Sequence, residues 1–154
     1  MQCFLPYESF RNTAQCLDRQ RLNKQRTEAY QLLLGCQDAE NFGWKHHPAF
    51  KMWKDHPRLL SLYGLEICSE WIKRGYKDTL MPKFYKFLVH YDDLWYEGKY
   101  IESMPVWLGD KSFHDSHKSN LLRKLPEWYN RYGWEVPDDL PYVWPSNKKS
   151  ILLD

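Results

Sequence analysis

Asp18-Arg-Gln-Arg-Leu-Asn-Lys-Gln-Arg-Thr-Glu28-Ala-Tyr-Gln-Leu-Leu-Leu-Gly35 is the stretch on which the reading of the fold turns. An aspartate side chain can accept from the free N–H groups of a first helical turn, and a glycine is the usual terminator. The pair therefore predicts a helix that Asp18 caps and that runs to Leu34. Leu22, Ala29 and Leu33 recur at helical spacing and mark its buried face. Arg21, Lys24, Gln25 and Glu28 fall on an adjacent arc that is open to chemistry or to water.

Outward from this helix the same signals repeat. A shorter helix is predicted from Ser9 to Leu17. Pro48 opens one through Trp53, and Pro57 opens a longer one through Arg74 that stops at Gly75, with Leu60, Tyr63, Ile67 and Trp71 as its buried stripe. From Met81 to Gly109, Pro82, Gly98 and Pro105 punctuate an aromatic stretch that reads as short helical turns. A last helix is predicted from a Ser112 cap to Leu125, and Pro126 then turns the chain into Trp128, Tyr129, Tyr132 and Trp134. Pro137, Pro141 and Pro145 make the tail, residues 135–154, extended and wrapped over the surface. The fold class is all-α, a single compact helical domain over residues 1–154 with an extended Pro-rich C-terminal tail, since 154 residues suffice for one core.

A net charge of only +2 argues against a purely electrostatic DNA coat. The charge is uneven, however: Arg11, Arg19, Arg21, Lys24 and Arg26 face Asp18 alone, whereas the tail is acidic. Aromatic residues make up 17% of the chain, more than a core of this size requires, which leaves rings for a surface where bases can stack. Cys3, Cys16, Cys36 and Cys68 form no C-x-x-C pair and no apolar run is long enough to span a membrane, so a cytoplasmic, intracellular protein with reduced thiols is expected.

Positive neighbours keep a carboxylate such as Glu28 ionised, able to accept a proton or to steady a developing cation. Spacing alone allows a plainer reading, with Lys24 and Glu28 a solvated i,i+4 pair.

The segment Leu17 to Glu28 resembles the helix that carries the catalytic glutamate in the pyrimidine-dimer DNA glycosylases with AP-lyase activity, of the bacteriophage endonuclease V type. Glu70-Trp-Ile-Lys-Arg-Gly-Tyr76 and Pro126-Glu-Trp-Tyr-Asn-Arg-Tyr-Gly133 are similar to two further blocks of that family in the same order. A wider branch fits better, through Phe4-Leu-Pro, Arg21-Leu-x-Lys-Gln-Arg-x-Glu28, His47-Pro-Ala, Phe113-His-x-Ser-His117 and Leu121-Leu-Arg-Lys124.

The resemblance implies an all-helical domain with its N-terminus beside Glu28, acting without metal or other cofactor on ultraviolet-damaged duplex DNA. An N-terminal amine attacks the anomeric carbon, the base leaves, an imine joins protein to sugar, and the glutamate assists β-elimination. An α-amine titrates near ~8 and is partly neutral at pH 7, which suits a nucleophile. Gln2 is bulky for removal of Met1, so the candidates are the amine of Met1, then that of Gln2, then Lys24. A neutral Gln2 or Cys3 also stands where the phage enzyme has a basic residue, and residues 88–100 have no counterpart there.

Phosphate or base contacts are expected from Arg21, Gln25, Arg26, His47, Lys51 and His117, and from Lys118, Arg123 and Lys124, which interleave with Trp128, Tyr129 and Tyr132. His46, His47, His114 and His117 lack a cysteine or carboxylate at ligand spacing, so no metal is assigned to them; His46 and His114 read equally as capping or packing residues. The partner implied is duplex DNA with a damaged or modified pyrimidine, with no membrane and no obligate protein partner. Alternatives are a glycosylase for another modified pyrimidine, a catalytically silent DNA-binding protein on the same scaffold and, more remotely, a metal-dependent hydrolase.

Overall fold

The computed structural model describes residues 1–145 and contains helices and irregular segments, with no strand among those residues. Its elements are α1 (Phe10–Cys16), α2 (Arg19–Gln37), α3 (Pro48–Trp53), α4 (Pro57–Lys73), α5 (Met81–Tyr96), α6 (Lys111–Lys124) and α7 (Pro126–Tyr129), followed by a 3-10 turn, Asn130–Tyr132. Helix α4 is the hub and packs against α1, α2 and α5. Leu22, Ala29 and Leu33 of α2 meet Leu60, Tyr63 and Ile67 of α4 in one hydrophobic cluster that also takes in residues 3–5 of the N-terminus.

The Asp18 cap is present as predicted, and Ser9, read as the start of a helix, is the cap of α1. Ser9 accepts from the Asn12 N–H and Asp18 from the Arg21 N–H, while Pro48 and Pro57 open their helices where a missing N–H costs nothing. Gly75 adopts φ +94 and ends the turn after α4.

Three boundaries differ from the sequence reading. Helix α2 continues through Gly35 to Gln37, because Gly35 serves packing: a Cβ there would meet the Phe42 ring at 2.6 Å. The short turns expected after Met81 are one helix of 16 residues, in which Pro82 occupies the permitted first turn and Phe84 and Tyr91 are buried. Helix α6 is capped by Asp110, whose carboxylate accepts from the Phe113 N–H, and Ser112 lies within its first turn.

Beyond Trp134 the chain carries no helix through residue 144 and runs as a strap along α6. Ser119 Oγ accepts from the Leu140 N–H at 2.9 Å, Ser116 Oγ from the Val143 N–H at 3.2 Å, and Asn120 donates to the Leu140 carbonyl at 3.3 Å. The remainder of the tail expected to be extended, residues 146–154, lies outside the described residues. No helix among the described residues is long and apolar enough to cross a membrane.

Where α4 packs on α5, the Phe84 ring occupies the space a Cβ on Gly64 would need. Gly64→Ala is therefore expected to destabilise the protein by about 1–3 kcal/mol, since the fully buried Phe84 ring cannot turn away. Gly35→Ala should cost less, because Phe42 is only half-buried and alanine gains up to about 1 kcal/mol of helix propensity. Thermal unfolding of both variants checks the order; equal losses would mean that the Gly64 approach is not limiting.

Candidate functional site

Residues 1–5 form an extended arm that enters the interior between helices. Pro6 disfavours helical geometry at Leu5, and no strand lies alongside to pair with the arm. Its backbone polar groups must therefore find side chains. From α2, Glu28 Oε2 accepts from the Gln2 N–H at 3.1 Å and Gln25 Oε1 from the Phe4 N–H at 2.9 Å. The i,i+3 spacing of the two acceptors matches alternate residues of the arm. From α4, the Tyr63 hydroxyl lies 2.8 Å from the Phe4 carbonyl oxygen and 2.9 Å from Gln25 Oε1.

From α6, His117 Nδ1 accepts from the Leu5 N–H at 2.8 Å, and His114 Nδ1 stands 2.7 Å from the Leu5 carbonyl oxygen. His114 Nε2 accepts from the Gly109 N–H, so its proton is on Nδ1 and is donated to Leu5. By the same logic the His117 proton is on Nε2, where it is buried without a partner. Complete burial pushes the His117 pKa down to about 3, with His114 adding to the effect.

The arm brings the chain's first residues to Glu28. That carboxylate is only 8% exposed, yet it keeps two donors, the Gln2 N–H and the Gln25 amide at 3.4 Å, and an ion pair with the Lys24 ammonium at 3.8 Å. The Lys24 side chain is 70% exposed and that of Glu28 11%, so the pair spans the site's edge and is not a solvated surface couple. The Cys3 thiol is held neutral, its pKa raised well above the ordinary value by burial and then by Glu28. Cys3 is therefore no rival nucleophile.

His47 caps α3, accepting the Ala49 N–H on Nδ1 at 3.0 Å. Its pKa is lowered by burial and next by the N-terminal ammonium, which puts the ring within electrostatic reach of the chain's first nitrogen. The strap supplies the opposite rings: Trp144 meets His47 edge-on at 6.0 Å, and Tyr142 lies tilted against Trp144 at 5.5 Å. Tyr142 is pushed up to about 12 by burial; Arg123 lowers it, Glu28 raises it and Arg21 lowers it. Tyr142 and Trp144 were missed in the sequence because a Pro-rich tail reads as surface covering; the alternation Tyr-x-Trp was the available signal.

Several residues assigned to DNA contact have other partners. His117, Gln25 and Tyr129 are fully buried: the first two hold the arm, and the Tyr129 hydroxyl donates to the Asp18 carboxylate and accepts from its N–H. Arg26 donates to Asp78 through Nε at 2.8 Å and Nη2 at 2.6 Å and lies over the Trp71 ring. Asp78 in turn accepts from the N–H groups of Leu80 and Met81, so Arg26 anchors the start of α5. Arg123 donates to the strap carbonyls of Asp138 and Leu140.

Trp128 and Tyr132 both donate to the Cys16 carbonyl and close the end of α1, and Tyr132 stacks on Trp134 at 5.4 Å. Lys118 sits over the Tyr7 and Trp134 rings. Arg21 is half-buried and paired to Asp18 at 3.2 Å. Lys24, Lys51 and Lys124 remain exposed, and Met1 is half-buried against the core. Among the described residues no group of three or more His, Cys, Asp or Glu is disposed to hold a metal ion.

The sequence model of one family, described as pyrimidine dimer DNA glycosylase, matches residues 1–83, more than half of the chain. The matched part holds the arm, α1 to α4 and the start of α5; α6 and the strap lie beyond it. No curated protein and no solved structure gives a significant match.

The neutral His117 makes stability depend on pH. An unfolded histidine titrates near 6.5 and the folded one near 3. Stability is fully present above pH 6.5 and declines as pH falls toward 3, because the unfolded chain then binds a proton that the folded chain refuses. The urea midpoint of the wild type should drop more between pH 7 and pH 4.5 than that of His117→Asn. Equal drops would show that the proton is taken up elsewhere.

Proposed function

The chain belongs to the pyrimidine dimer DNA glycosylase family, and from that premise we propose that it cleaves ultraviolet-damaged duplex DNA as a glycosylase with AP-lyase activity, through an imine on its N-terminal amine. The observation that carries this reading is the hydrogen bond from the Gln2 nitrogen to Glu28 Oε2 at 3.1 Å, which couples the start of the chain to a buried carboxylate.

The nucleophile is the amine of the first residue: Met1 as the sequence stands, or, on loss of Met1, the Gln2 nitrogen that already faces Glu28. Lys24, 3.8 Å from the carboxylate but largely in solvent, ranks third. Amines at chain termini titrate more than two units below lysine, so a larger fraction is neutral at pH 7. The amine attacks the anomeric carbon of the damaged nucleotide, and the glycosidic bond breaks with its electron pair going to the departing base, which takes up a proton. Loss of the second amine proton and opening of the sugar ring give the imine.

Glu28 stabilises the positive charge that develops on the sugar. It then accepts a proton from the carbon next to the imine, and the 3′ phosphate leaves with the electrons of its C–O bond. Hydrolysis of the imine frees the enzyme.

Phosphate binding falls to the exposed lysines Lys24, Lys51 and Lys124, with Arg21 and His47 at the edge of the site. Base support falls to Tyr142, Trp144 and His47, whose rings contact one another in sequence, in place of Trp128 and Tyr132.

The test is incubation with duplex DNA carrying a cyclobutane thymine dimer or an abasic site, with and without borohydride, followed by intact-mass and peptide mapping. The expected result is a covalent adduct on the N-terminal peptide. Glu28→Gln should slow strand cleavage by about 100-fold or more, and Lys24→Ala should leave the adduct in place. An adduct mapped to Lys24 overturns the assignment of the amine. Processing of another modified pyrimidine but not the dimer moves the substrate, and binding without adduct or cleavage on any substrate replaces the enzyme with a DNA-binding protein.

A further inference from the structure

We propose that His114 and His117 are positioning residues: a pair of neutral imidazoles one helical turn apart on α6 that grips both backbone polar atoms of Leu5 and so aims the N-terminal amine at Glu28. The proposal rests on the imine reading above.

The grip is complementary in sign. His114 Nδ1–H donates to the Leu5 carbonyl at 2.7 Å, and His117 Nδ1 accepts the Leu5 N–H at 2.8 Å. Each ring has its tautomer fixed, since the Gly109 N–H occupies the far nitrogen of His114 and leaves His114 no choice but to donate. His117 keeps its remaining N–H buried and without a partner, so its contribution lies wholly in the acceptor it offers to Leu5. Phe113 packs on the His117 ring at 4.5 Å and Phe4 meets it edge-on at 6.0 Å, which prevents the ring from swinging away.

The leverage comes from the arm's geometry. An extended chain rises about 3.3 Å per residue, so four residues carry the amine roughly 13 Å from the Leu5 anchor. Helix α2 holds Gln2 and Phe4 through one N–H each, whereas α6 holds Leu5 through both its polar atoms. Loosening the inner end shifts the outer one, and a misplacement of about 1 Å in a reacting group costs on the order of 100-fold in rate.

The experiment compares two amides at one site. In His117→Asn the amide oxygen falls where Nδ1 was; in His117→Gln it falls near Nε2, away from Leu5, with similar polarity and bulk. Single-turnover borohydride trapping on abasic duplex DNA is measured beside equilibrium binding to the same duplex and amide hydrogen exchange of residues 1–8. His117→Asn is expected to trap within about threefold of wild type, and His117→Gln about 10- to 100-fold more slowly. Both should bind the duplex within about threefold of wild type, with faster exchange in His117→Gln confined to the arm.

Equal trapping by Asn and Gln, or arm exchange that accelerates only together with the rest of the chain, overturns the positioning role. If the wild type itself traps nothing, the imine reading fails and the grip is judged on exchange alone: arm protection kept in Asn and lost in Gln supports it, and protection lost or kept in both overturns it.

Discussion

Five backbone polar groups of the N-terminal arm, on Gln2, Phe4 and Leu5, are buried with no neighbouring strand to receive them. A helix satisfies its own backbone and a sheet satisfies its neighbour's; a lone extended segment in a helical core has neither, and each unpaired group costs about 1–3 kcal/mol. The rest of the molecule answers that constraint. Glu28 and Gln25 are brought up by α2, Tyr63 by α4, and His114 and His117 by α6, so three helices must stand at fixed distances from one another before the arm can be accommodated. The polar side chains around Glu28 are themselves held by the backbone they satisfy.

Electrostatics follow from the same economy. The basic run from Arg11 to Arg26 reads as a surface for phosphates, yet two of its arginines are turned to internal work while Arg11 and Arg19 stay exposed. Arg21 pairs with Asp18, which also receives the Tyr129 hydroxyl, and Arg26 holds Asp78. Asp78 accepts four donors in all, and it stays ionised below the usual carboxylate range: burial pushes its pKa up, but the backbone N–H groups and Arg26 outweigh it. What remains exposed is Arg11, Arg19 and a scatter of lysines, on a chain whose net charge is only +2.

Much of the helical frame was legible in the residues. Caps and first-turn prolines marked the starts of α1 to α4 because their chemistry is local: Asp18 acts on Arg21, and Pro48 opens the turn it occupies. Glu28 was singled out by resemblance, and the structure shows a buried carboxylate that accepts from the Gln2 N–H. What could not be read is long-range. Gly35 looks like a stop until Phe42 is laid against it. Gln25 and His117 are polar types that ordinarily face water, and their burial follows only from an arm more than twenty, and more than a hundred, residues away. Helix α5 was hidden by Pro82 and by aromatic side chains, which weaken the helical signal although tertiary packing outweighs it. The strap's two rings owe their position to hydroxyls on α6 that no local pattern relates to them.

The separation between the arm and α6 also orders events during synthesis. Leu5 leaves the ribosome 112 residues ahead of His117. Contacts at such separation form late, after the loop entropy of the intervening chain has been offset by other packing. Until then residues 1–5 are a loose tail, and the Gln2 nitrogen has no reason to face Glu28. Residues 1–5 are thus made well before the helix that holds Leu5, and the arm acquires its surroundings only once α6 has packed.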